Sequence, residues 1–127
     1  VRDPRFPHLA EWFNAEVAAG WVLVCDLVVL ELTRLAPNHE RARAVAERLD
    51  VFNFVPMPAT LWDRAKEVQL RLAPAGDHRR VPPADLLLAM AAETAGVPLV
   101  HYDRDYELIA AVADLEHRWF VEDGSLA

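Results

Sequence analysis

The chain has 127 residues, 54% of them hydrophobic, which is enough for one domain with a sizeable core. Nine prolines and four glycines are too few for a collagen-like or disordered chain. A formal net charge of -7 argues against gripping polyanions through bulk electrostatics, and a single cysteine, Cys25, excludes an internal disulfide.

In chain order, Leu9, Trp12, Phe13 and Val17 have the spacing of a helix over residues 8–19, which Gly20 stops. The apolar run WVLVC, Trp21 to Cys25, predicts a buried strand. Asp26 is placed to cap a helix running to about Ala36, before Pro37. Asn38 is placed to cap the next, His39 to Leu49. Phe54 to Met57 predicts a brief strand. Residues 59–72 predict an amphipathic helix with Leu61, Ala65, Val68 and Leu72 on one side. Residues 73–82 form a loop. Pro83 to Ala95 predicts a helix with proline in its first turn and Gly96 at its stop. A strand over 98–101, a helix over 104–113 and a strand over 118–121 complete the series.

Short apolar strands alternating with helices imply an α/β fold with a mostly parallel sheet covered on both faces. Two helices between the strands at 54–57 and 98–101 break the alternation. Sites in such folds form beyond the carboxyl ends of strands. Asp103 and Asp105 follow a strand end at once, and so does Asp26.

Glu31 lies within the apolar stripe of Leu27, Val28, Leu32 and Leu35. Burying a carboxylate there calls for a partner, either Arg34 or a metal. Asp85 has two readings, helix-start acid or ligand. Asp103 and Asp105 cannot both cap the helix near Arg104, so one carboxylate is left over. Glu93 and Glu107 are assigned to solvated faces. Carboxylates about 4 Å apart repel by ~1–4 kcal/mol, so a cluster of them calls for a cation. Oxygen-only ligands select Mg²⁺ or Mn²⁺.

The string HRRVPPADLLLAMAAETAGVPLVHYDRDYELIA resembles the C-terminal half of PIN-domain ribonucleases, above all VapC-type toxins of toxin–antitoxin pairs. The match is an aspartate opening a helix of small and apolar residues, a short strand, then D-x-D-[FY]. VCDLVVLELTRLA resembles the earlier family motif that supplies a glutamate. The resemblance implies a single PIN-like domain over residues 1–127. It assigns Glu31, Asp85 and Asp103 as catalytic metal-binding acids and Asp105 as an auxiliary ligand. It further implies Mg²⁺-dependent (or Mn²⁺-dependent) RNA cleavage, a homodimer, and a cognate antitoxin covering the site. The family opens with a central strand ending in a catalytic aspartate, and nothing before Asp26 matches it. The expectation is that this strand precedes Val1. A PIN-like binding module without catalysis is the alternative. A phosphoacceptor domain would want a lysine after a late strand, whereas Lys66 falls on a helix.

His78, Arg79 and Arg80 form the densest basic spot and are candidate RNA contacts, with His101 beside Asp103 as another. Cys25 reads as core. Trp12, Trp21, Trp62 and Trp119 read as core or interface, with base stacking open to Trp119 alone. The histidines lack zinc-site spacing, and no dinucleotide or P-loop motif occurs. One cysteine, no visible signal peptide and no membrane-length apolar run place the expected compartment in the cytoplasm.

Overall fold

The computed structural model describes residues 23–101 and 103–119. The helix expected over 8–19, Trp12, Trp21 and the last strand beyond Trp119 lie outside these residues.

Strand β1 (Leu23–Val24) leads into helix α1 (Asp26–Arg34). The cap expected at Asp26 falls one residue earlier. Cys25 has the extended backbone of an N-cap, and Asp26 is already helical, where its charge meets the helix dipole. Helix α2 (His39–Leu49) starts as expected, with Asn38 accepting the Arg41 N–H at 2.9 Å. Strand β2 (Asn53–Phe54) pairs in parallel with β1, and the Val55 N–H extends the pairing to the Val24 carbonyl at 2.7 Å.

Helix α3 (Thr60–Leu72) buries Leu61, Ala65, Val68 and Leu72, the stripe its periodicity predicts. The following loop is two short 3₁₀ turns, 73–75 and 77–79, joined at Gly76 with φ +79°. Helix α4 (Pro83–Ala95) has the expected limits. Gly96 ends it with φ +67°, and its N–H returns to the carbonyls of Ala92 and Glu93. Strand β3 (Leu99–His101), helix α5 (Asp105–Ala110) and strand β4 (His117–Trp119) follow. β3 and β4 are parallel, with His101 opposite Trp119 and Leu99 opposite His117. Both pairings have the expected parallel sense, and among the described residues they form two separate two-stranded pieces.

The core lies where α3, α4 and α5 meet. Val68, Ala89, Met90 and Ile109 are fully buried there, with Val81 and Leu115 closing the edges. Cys25 is buried, as its apolar strand predicts. Of the two readings of Trp62, core is excluded: it is 59% exposed, one position past Leu61 and off the buried stripe. Glu93 is not on a solvated face either. Its two oxygens take the Arg64 guanidinium at 2.8 and 3.1 Å, and Oε2 also accepts the Asp114 N–H at 3.0 Å. This clamp ties α3 to α4 and to the segment after α5. The Arg64 charge and these bonds hold the Glu93 carboxyl below the usual range. No described helix is long and apolar enough to cross a membrane.

Candidate metal centre

Asp85 is the third residue of α4. The helix is capped by the backbone of Pro82 with no side-chain cap, so the Asp85 carboxylate is not spent on capping. It accepts instead from the hydroxyl of Tyr106 on α5, a side chain only 7% exposed. Asp103 and Asp105 arrive from the opposite direction, in the turn between β3 and α5. The Asp105 N–H donates to Asp103 Oδ1 at 2.9 Å, so Asp103 braces the start of α5 while keeping a second carboxylate oxygen. Capping and ligation are therefore not exclusive for this residue.

The structure brings Asp85, Asp103 and Asp105 together, with one carboxylate oxygen from each lying within 4.8 Å of the others. Burial, and then the charge of Asp103, raise the Asp85 carboxyl above its ordinary value, with Asp105 and Glu31 adding to the effect. Glu31 is not within the triad. It faces Arg34 at 3.2 Å on α1, the pairing that sequence left open, yet its charge still reaches Asp85. Arg80, at the end of the second 3₁₀ turn, donates from Nε to Asp105 Oδ1 at 3.1 Å and stands 57% exposed. His78 and Arg79 are exposed on the same turn.

His101, grouped by sequence with the RNA contacts, is 8% exposed. Its ring nitrogens meet His117 and the Asp103 N–H, so it faces protein rather than a ligand. Trp119 donates its indole N–H to Glu107 at 2.9 Å and packs 4.9 Å from the His101 ring. The roles of Tyr106 and His117 were not visible in sequence. Tyr106 gave a signal in the D-x-D-Y string, while His117 gave none.

The donor set suits a hard divalent ion. All three ligand atoms are oxygens and all are carboxylates, and Asp105 also meets the Arg80 guanidinium. Asp85, Asp103 and Asp105 would hold such an ion between them.

A family model for the PIN domain matches residues 2–113. The chain is 48% identical to Ribonuclease VapC2 of Mycobacterium tuberculosis over 114 residues, which is 88% of this chain and 80% of that protein. It is 37% identical to Ribonuclease VapC21 of the same organism over 107 residues, 84% and 78% of the two chains. It is 35% identical to Ribonuclease VapC18, also of that organism, over 122 residues, 94% and 89% of the two. With an acidic centre at the junctions where the motifs put it and a model match over most of its length, the chain belongs to the PIN-domain family.

Proposed function

We propose that this protein is a divalent-metal-dependent endoribonuclease, the toxin of a toxin–antitoxin pair, with Mg²⁺ as the ion and RNA as substrate. The observation that carries the reading is the gathering of Asp85, Asp103 and Asp105 from two distant stretches of chain. The relatives named as ribonucleases support the reaction class. Asp85 and Asp103 are the principal ligands, Asp105 assists, and Glu31 supplies further negative charge from α1. When bound, the ion supplies Lewis-acid activation of water and neutralises phosphate charge. The chain's own part is to orient these carboxylates and to bring phosphate to them. Arg80, with His78 and Arg79 beside it, sits where a cation can grip RNA despite the net charge of -7. No side chain serves as a covalent nucleophile. A homodimer and a cognate antitoxin belong to the same proposal.

The test is cleavage of labelled RNA with Mg²⁺, with EDTA, and by Asp85→Asn and Asp103→Asn. Mg²⁺-dependent cleavage lost in both variants is expected; cleavage that survives EDTA and both substitutions rejects the reading. A non-catalytic binding module is the second reading, favoured by the arginines already paired with Glu31 and Asp105. It predicts intact RNA together with no response of stability to Mg²⁺.

A further inference from the structure

The His101 imidazole is buried among the described residues, 8% exposed. Its surroundings leave no choice about where its proton sits. A peptide N–H can only donate, and the Asp103 N–H meets His101 Nδ1 at 3.1 Å. Nδ1 is therefore the acceptor, and the neutral ring carries its proton on Nε2. Nε2 lies 2.8 Å from His117 Nδ1, which must then be the acceptor in its turn. One backbone amide thus fixes the tautomers of two rings.

The β3–β4 register explains why the rings meet. His101 pairs with Trp119 and Leu99 with His117, so His101 and His117 are diagonal neighbours on one face. Packing holds the arrangement. His101 stacks on His117 with centroids 5.1 Å apart, and Tyr106 and Trp119 flank it at 4.9 Å each.

We infer that His101, locked by His117, is a positioning residue that holds the Asp103 amide and so presents the Asp103 carboxylate to Asp85 and Asp105. The inference rests on the metal-centre reading above. It links β4, an element with no acid in the cluster, to the geometry of the ligands. The side chain of Asp103 is fixed from both ends: its own amide bonds to His101, and its Oδ1 takes the Asp105 N–H. Loss of the ring acceptor frees the first of these ends. Residues that orient ligands commonly weigh on metal affinity by about 10–100-fold.

The experiment compares the full chain with His101→Leu, His101→Asn, His117→Phe and His117→Asn. Asparagine keeps an acceptor oxygen near the Nδ1 position, while leucine and phenylalanine remove it. Three readouts are taken: long-range ¹⁵N–¹H correlations of the imidazoles, hydrogen exchange at the Asp103 amide, and Mn²⁺ affinity from the spin-resonance signal of free ion. The expected spectrum has Nδ1 unprotonated on both rings. His101→Leu is expected to weaken Mn²⁺ by about tenfold and to speed exchange at Asp103. His101→Asn should recover most of both, and His117→Phe should fall between. A proton on His101 Nδ1, or equal Mn²⁺ affinity in the wild type and His101→Leu, overturns the inference. Should the wild type take no Mn²⁺, the nuclease reading fails on its own. Asp103 exchange then decides: faster in His101→Leu than in His101→Asn supports the positioning role, and equal rates overturn it. Should His101→Leu not fold, the contrast between His117→Phe and His117→Asn carries the same decision.

Discussion

Asp85→Asn separates stability from function in a way that a merely structural aspartate would not. In the metal-free protein Asp85 is ionised against its surroundings: burial disfavours the charge first, and Asp103 and Asp105 oppose it next. At the outer limit of 4.8 Å, two carboxylates repel by about 1 kcal/mol in water and about 3.5 kcal/mol at an effective dielectric of 20. Asp103 is exposed, so the lower part of that range applies. Asparagine keeps an acceptor for the Tyr106 hydroxyl and removes the charge. The metal-free variant should therefore be more stable than wild type at pH 8 by about 1 kcal/mol, or roughly 3–5 °C in Tm for a chain of this size.

The pH dependence follows from the direction of the shift. Below the ordinary value of 3.8 both folded and unfolded chains hold the group protonated, and it costs nothing. As pH rises past 3.8 the unfolded chain ionises first, so wild type loses stability until the raised folded value is passed. Asp85→Asn should lack this loss, so the difference between variant and wild type grows through that window. Mg²⁺ reverses the order. At ten times its Kd, an ion bound only to the folded state adds about 1.4 kcal/mol, and the variant should forfeit most of this together with RNA cleavage. Thermal melts with and without 10 mM Mg²⁺, across pH, measure all of it. A variant that is less stable without metal and still gains from Mg²⁺ as wild type does would refute the reasoning.

Glu93→Gln breaks a part-buried bidentate pair with Arg64 and is expected to cost about 1.5–3 kcal/mol in urea unfolding while leaving cleavage intact at low temperature. Arg80→Ala removes the guanidinium bonded to Asp105; Mg²⁺ should bind at least as tightly, while RNA binding weakens and its log–log salt slope falls by about 0.7. Burial, then the neighbouring His117, lowers the His101 pKa from 6.5, so the unfolded chain takes up its proton first and folding stability is lost as pH drops below that value. His101→Asn should remove this acid-side slope, as read from denaturant midpoints between pH 7.5 and 5.

Features that depend on local spacing were legible in the sequence. Pro83 and Gly96 bound α4 because one presets φ and the other tolerates the left-handed turn. Asn38 was legible as a cap, and the buried stripe of α3 follows from its 3.6-residue period. What failed depends on partners far along the chain. Glu93 meets Arg64 across 29 positions, and nothing near Glu93 in sequence announces it. Trp62 was open to core or interface, and its helical phase, off the buried stripe, excludes the core. The His101–His117 contact needs the strand register, which no single strand encodes.

The meeting of Asp85 with Asp103 is different, because it is distant in sequence yet follows from lengths. From Asp85 to Ala95 a helix advances ~15 Å, at 1.5 Å per residue. Gly96 then reverses the chain, and Val97 to His101 in extended form covers ~13 Å at 3.3 Å per residue. The outward and return legs nearly cancel once the width of the turn is allowed for, so the start of α4 and the exit of β3 end at one level. The β3–α5 turn then brings Asp105 alongside, and Tyr106, one residue further, reaches back to Asp85. Inserting one residue between Gly96 and Leu99 would move the exit of β3 by ~3 Å and turn its side chains to the other face. Such an insertion should abolish the Mg²⁺ response while every acid is still present. The site is thus a property of two matched lengths and one left-handed glycine as much as of the carboxylates themselves.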